Sequence, residues 1–120
     1  MLTLMVVDSS DIVRKVAKRI LSALNFDVLE AENADNAVAE CFRNLPNVVI
    51  IDGHLEGAQD VITHIRSMPN GDQTRVYYCV IEADLKTMMA GRRAGADDFL
   101  QKPFDRQILT EKLGPIAAAA

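Results

Sequence analysis

The sequence predicts a doubly wound α/β domain, in which a five-stranded parallel sheet carries helices on both faces. Three observations lead there: short aliphatic runs bounded by turn residues, helical apolar periodicity between them, and regular alternation of the two along the chain. The clearest run is Val48-Val49-Ile50-Ile51-Asp52, a series of β-branched residues that ends without a spacer in a carboxylate. It is too short for a helix and lies between Pro46-Asn47 and the glycine-spaced Gly53-His54-Leu55-Glu56-Gly57, so it reads as a strand buried on both faces. In parallel sheets covered by helices, ligands gather beyond the carboxyl ends of the strands. Asp52 falls at that edge, although Asp-Gly is also a common turn pair.

The other elements follow in order. Leu4-Met5-Val6-Val7-Asp8 repeats the pattern of an aliphatic strand that stops in an aspartate. Ser9-Ser10-Asp11 supplies capping residues for a helix whose apolar face is Ile12, Val13, Val16, Ala17, Ile20, Leu21 and Leu24, with Arg14, Lys15, Lys18 and Arg19 expected in water. Residues 26–31 read as the second strand. Asn33 caps a helix with Ala34, Ala37, Val38, Cys41, Phe42 and Leu45 on its apolar face, and Pro46-Asn47 leads into the central strand. Val61, Ile62 and Ile65 mark a third helix that must end before Pro69, and Asn70-Gly71-Asp72 is a loop. Residues 76–81 form the fourth strand. Asp84 opens a fourth helix with Leu85, Met88 and Met89 inside and Gly95 as its C-terminal cap. Residues 97–101 are a brief fifth strand. Lys102-Pro103-Phe104 then turns into a last helix capped by Asp105, with Phe104 and Leu109 spaced as a hydrophobic staple.

Composition narrows the function classes. A chain of 120 residues that is 49% hydrophobic and 25% charged is globular and long enough for one core. A net charge of -4 argues against nucleic-acid binding, which needs a clustered basic face. The two cysteines, Cys41 and Cys79, have neither zinc spacing nor a disulfide framework and read as reduced core residues. No apolar run is long enough to cross a bilayer, and the start lacks a signal peptide's charged head, so the expectation is a cytoplasmic protein with protein or small-ligand partners.

Right-handed crossovers bring the ends of the first, third and fifth strands together, which gathers Asp8, Asp52 and Lys102 into one pocket. Two carboxylates suit a hard cation such as Mg²⁺, which takes one or two carboxylates plus waters and phosphate oxygens, and the ammonium suits a carboxylate or phosphoryl oxygens. An internal salt bridge is the plainer alternative.

Asp8 after the first strand, Asp52 after the third, Ala94-Gly95-Ala96-Asp97-Asp98 leading into the fifth, and Lys102-Pro103-Phe104 after it resemble the CheY-like receiver domain of bacterial two-component response regulators. The resemblance spans essentially the whole chain and implies a flavodoxin-like (βα)5 fold of strand order 2-1-3-4-5, comprising residues 1–120 as one receiver with no effector domain. It implies that Asp52 accepts a phosphoryl group from a histidine kinase or phosphotransfer protein. It further implies that Asp8, Asp52 and the backbone carbonyl of His54 bind Mg²⁺, and that Lys102 contacts the phosphoryl group across a commonly cis Lys-Pro bond. The implied role is phosphoacceptance and protein interaction, as a monomer or weak homodimer, with an unnamed downstream target, rather than substrate turnover.

This chain departs from the family at three points. Ser9 stands where a second acid is usual, so Mg²⁺ should bind more weakly. The hydroxyl residue at the end of the fourth strand is replaced by Glu82, or by Val80 when counted back from Lys102, so its coupling to the fifth-strand aromatic, here Phe99, cannot take its usual form. Leu55-Glu56 replaces Met-Pro in the loop after the phosphoacceptor. His54 and Glu82 are expected to flank the pocket rim. The output surface is expected on the fourth helix, fifth strand and fifth helix, carrying Arg92, Arg93, Asp98, Gln101, Phe104, Arg106 and Gln107. A phosphorylation-independent pseudo-receiver is the nearest alternative. Asp52-x-His54-x-x-Gly57 is also similar to the histidine motif of cobalamin-binding domains, but the chain lacks the Gly-Gly and the downstream Ser-x-Leu that complete it. A phosphatase with a first-strand aspartyl nucleophile would need an acid at Ser10.

Overall fold

The computed structural model describes residues 1–81 and 84–120. They form β1 (Thr3–Val7), α1 (Asp11–Ala23), β2 (Asp27–Ala31), α2 (Ala34–Arg43), β3 (Val48–Asp52), α3 (Ala58–Ser67), β4 (Arg75–Ile81), α4 (Leu85–Ala94), β5 (Asp98–Lys102) and α5 (Arg106–Ala119). A short 3-10 turn, Gly71–Gln73, occupies the expected loop before β4. The sheet is wholly parallel in the order β2-β1-β3-β4-β5, the flavodoxin-like topology. None of the described helices is long and apolar enough to cross a membrane.

Alternation along the strands divides the core into two layers. Met5, Val7, Val49, Ile51, Tyr78 and Val80 pack against α2 and α3, whereas Leu4, Val6, Val48, Ile50 and Cys79 pack against α1 and α5. Both cysteines are buried and free. Ser10, Asn33, Asp84 and Asp105 each accept a hydrogen bond from the backbone N–H three residues on, as the capping pattern requires, and each cap is worth about 1 kcal/mol. Gly95 ends α4 at φ 118°, a left-handed conformation that favours glycine. Phe104 and Leu109 join one cluster beneath the start of α5, in keeping with the staple.

Several sequence expectations are corrected. Arg14 is only 7% exposed, while Ile12 is 76% exposed and Val16 is also largely in solvent. Val13, Ala17, Ile20 and Leu21 form the line that faces the sheet or lies beside it, and positions 12 and 16 are turned about 100° from 13 and 17. Arg14 is buried because a carbonyl and a carboxylate beneath α1 need its guanidinium. Phe42 lies one step past Cys41 and is exposed, and Leu85 and Met89 are exposed, whereas Met88 is partly buried and Gly91 buried. The second strand starts after residue 26 because Phe26 N–H closes the α1 exit turn on the Leu21 carbonyl at 3.2 Å. The fifth strand is shifted by one residue, to Asp98–Lys102, because the Asp97 carboxylate accepts from Val76 N–H at 2.8 Å and pairs with Arg66.

Candidate active site

Three strand ends build the site. Asp8 follows β1, Asp52 is the last residue of β3, and Lys102 is the last residue of β5. Because β3 lies between β1 and β4, parallel pairing sets Asp52 beside both neighbours at the carboxyl edge. Lys102 Nζ donates to Asp8 Oδ2 at 2.6 Å and lies 3.6 Å from Asp52 Oδ1. The side chains of Lys102, Asp8 and Asp52 are only 17%, 6% and 12% exposed. The predicted constellation is therefore one contiguous cluster.

Backbone groups hold both carboxylates. Asp8 Oδ1 accepts from Ser10 N–H at 2.9 Å, and Asp52 Oδ1 accepts from His54 N–H at 3.1 Å. Burial opposes the charged form of Lys102, but the hydrogen bond to Asp8 and the charges of Asp52 and Asp8 outweigh it and hold the ammonium pKa above its ordinary value. Burial pushes the neighbouring Cys79 thiol far up, so it stays an uncharged core residue. The Lys102-Pro103 peptide is cis.

Arg14 belongs to this architecture, and sequence reasoning missed it. Its Nη1 donates to the Asp8 carbonyl at 2.6 Å, its Nε donates to Glu30 Oε1 at 3.2 Å, and Nη2 pairs with Asp11. Glu30, at the end of β2, is also held by Lys15 at 2.8 Å and Lys18 at 3.8 Å. The signal available was an acidic residue at a strand end facing a basic helix.

The remaining predicted positions divide. Ser9, Asp52 and His54 open on one groove with Glu32, Glu56 and His64. Val80 is buried against the α3 side of the core, and Glu82 lies outside the described residues. Phe99 meets Tyr78 edge-on at 6.4 Å, and the Arg92 guanidinium stands 5.2 Å from the Phe99 ring centre. Arg92, Arg93, Gln101, Arg106 and Gln107 are exposed, and Asp98 pairs with Lys112 at 3.1 Å. Phe104 departs from the expected output surface: it lines a groove of about 360 Å³ with Ile12, Val16, Ile81 and Pro103, on the α1 side. Among the described residues no group of three or more His, Cys, Asp or Glu side chains is arranged to hold a metal ion.

Residues 4–114 match the family model of the response regulator receiver domain. The chain belongs to that family. The receiver is 31% identical over 114 residues to chemotaxis protein CheY1 of Helicobacter pylori, covering 92% of each chain. Its structure is similar to that of a putative response regulator from Chloroflexus aurantiacus, with a TM-score of 0.87, 28% identity and 98% of each chain covered. The receiver domain of sensor histidine kinase PA1611 from Pseudomonas aeruginosa shares the fold, with a TM-score of 0.85, 22% identity and 98% of each chain covered, and holds a magnesium ion in its active-site cleft. The receiver is thus a CheY-like signalling domain of two-component systems. Gly57 of the cobalamin-like pattern stands at φ 82° as the residue before α3, a backbone role that accounts for the glycine.

Proposed function

We propose that this receiver takes a phosphoryl group on Asp52 from a phosphorylated histidine and signals by protein interaction. The observation that carries the reading is the Asp52 carboxylate itself, held at a strand end with one oxygen on the His54 N–H and the Lys102 ammonium 3.6 Å away. In the reaction, an Asp52 oxygen forms a bond to phosphorus as the phosphorus–nitrogen bond breaks. The electron pair stays on nitrogen, and a ring protonated on its other nitrogen leaves as neutral imidazole. Lys102 supplies positive charge for the phosphoryl oxygens, and its distance to Asp52 suits it to follow them as they arrive. Hydrolysis reverses the gain: water attacks phosphorus, the acyl phosphate bond breaks, and inorganic phosphate, the Asp52 carboxylate and a proton result.

The donor set fits Mg²⁺ in the mode that keeps several waters, with Asp8, Asp52, the His54 carbonyl and, weakly, the Ser9 hydroxyl as protein ligands. The ion would neutralise phosphoryl charge. The proposed output surface is the exposed arginine face of α4 with β5 and α5, extended by Leu85 and Met89, which lie on the same side of α4 as Arg92. A second reading, phosphorylation-independent interaction, is favoured by Ser9 in place of an acid and by the closed Lys102–Asp8 pair.

Incubation with phosphoramidate and Mg²⁺ followed by intact-mass measurement separates the two. The expected result is a single phosphoryl adduct that is absent in Asp52→Asn. Absence of any adduct in the wild type, with phosphoramidate and with acetyl phosphate, would favour the second reading.

A further inference from the structure

The residue after Asp52 is tied to β4 through both of its peptide groups. Gly53 N–H donates to the Cys79 carbonyl at 2.8 Å, and the Gly53 carbonyl accepts from the Tyr78 hydroxyl at 3.2 Å. The Gly53 carbonyl and the His54 N–H are two ends of one planar trans peptide and point in opposite directions. That N–H is the one that donates to Asp52 Oδ1. A hydroxyl that fixes the carbonyl end of the plane therefore fixes the amide end, and with it the carboxylate.

We propose that Tyr78 is a positioning residue for Asp52: its hydroxyl anchors the Gly53–His54 peptide, so that the N–H holds Oδ1 and Oδ2 is left to form the bond to phosphorus. Among the described residues Oδ2 accepts no hydrogen bond. The consequence for reactivity rests on phosphoacceptance as proposed above, whereas the geometry of the relay does not.

The ring is held so that its hydroxyl has little freedom to leave. Tyr78 is completely buried, and a Cβ added at Gly53 would come within 2.5 Å of its Cε2, while one added at Gly91 would come within 2.5 Å of its Cδ2. Both glycines thus leave room for this ring, one in the site loop and one on α4, and Phe99 closes a third side edge-on. Burial raises the phenol pKa, with Gln59 opposing and the Asp52 charge adding to the shift, so Tyr78 remains a protonated donor at neutral pH. A phenylalanine would fill the same space. The hydroxyl is therefore the part of the side chain that needs a functional explanation.

Tyr78→Phe removes only that oxygen. The rate of phosphoryl uptake from phosphoramidate should fall about three- to tenfold, equivalent to roughly 0.6 to 1.4 kcal/mol in the barrier. The phosphoramidate concentration for half-maximal rate should stay as in wild type. In ¹H–¹⁵N spectra the His54 amide proton should move upfield and exchange faster with solvent as its bond to Asp52 loosens, a change that loss of packing elsewhere would not single out. An unchanged rate would overturn the proposal, and so would a slower rate with an unaltered His54 amide. If the wild type takes no phosphoryl group, the phosphoacceptor reading fails instead, and the His54 amide alone decides whether Tyr78 positions the carboxylate.

Discussion

Arg14→Met tests whether the buried guanidinium holds the β1–α1 junction. Methionine keeps the aliphatic stem and removes the charge, so the change is confined to polar partners. Asp11 is largely in solvent and returns to water, and Glu30 keeps Lys15 at 2.8 Å and Lys18 at 3.8 Å. The loss that neither water nor a lysine replaces is the charged donor on the Asp8 carbonyl, at 2.6 Å. The expected cost is therefore that of one charge-assisted bond, about 2 kcal/mol, rather than the roughly 3–5 kcal/mol of stripping a buried charge of its partner. With a urea dependence of about 1–3 kcal/mol per molar, the midpoint followed by far-ultraviolet circular dichroism should fall by about 1 M at unchanged slope. Arg14→Lys should recover little of it, because an ammonium cannot reach the carbonyl and Glu30 with a planar fork. A midpoint equal to wild type in Arg14→Met, or full recovery in Arg14→Lys, would refute the reasoning.

Ser9→Asp adds a carboxylate beside Asp8 and should tighten Mg²⁺ binding in a calorimetric titration; an unchanged titration would mean that another acid in the groove, such as Glu56, already supplies the ligand. Glu30 has its carboxyl pKa held below the ordinary value, first by the hydrogen bond from Lys15, with the Lys15 and Lys18 charges and Arg14 adding to it against a smaller effect of burial. A lowered folded-state pKa gives stability that is present above the unfolded value of 4.5 and is lost as pH falls through the folded one, so Glu30→Gln should flatten the acid limb of the stability–pH curve below about pH 4.5. Gly91→Ala should lower the melting temperature despite alanine's helix preference of about 1 kcal/mol, because the new methyl meets the boxed Tyr78 ring, at an expected cost of about 1–3 kcal/mol. In a Tyr78→Leu background the same substitution should cost much less.

The sheet was legible because β1, β3 and β4 are short apolar runs with punctuation at their ends, and four helix starts were legible because Ser10, Asn33, Asp84 and Asp105 are capping residues. Asp8, Asp52 and Lys102 could be gathered without coordinates because topology alone delivers the ends of β1, β3 and β5 to one edge. Helix faces were less legible. Apolar periodicity says that a stripe exists but leaves its edges undefined, so Ile12, Val16, Phe42, Leu85 and Met89 were assigned to the core although they lie on its margin. Arg14 was assigned to water because its burial depends on a carbonyl at the end of β1 and a carboxylate at the end of β2, partners in other elements that no local pattern names. Tyr78 was invisible as a site residue for a related reason. Its hydroxyl reaches a backbone carbonyl, and backbone acceptors carry no sequence signature.

The residue beside Asp8 is Ser9, and the geometry around Asp8 gives that neighbour its weight. Asp8 Oδ2 is held by Lys102 at 2.6 Å and Oδ1 by the Ser10 N–H at 2.9 Å, so a metal ion that uses this carboxylate must share it with an ammonium. A second carboxylate next to Asp8 would favour the ion in that competition through its charge; a serine hydroxyl adds none. The raised pKa of Lys102 has the opposite sign of linkage from Glu30: its contribution is fully present below the unfolded value of 10.5 and is lost only as pH rises through the folded one. Across the physiological range Lys102 therefore stays charged, and its ammonium stands 3.6 Å from Asp52, the longer of its two carboxylate distances. An arriving phosphoryl group brings the negative charge that can draw Lys102 toward Asp52 and release Asp8. If Asp52 takes a phosphoryl group as proposed, movement of Lys102 from Asp8 toward Asp52 would register that arrival.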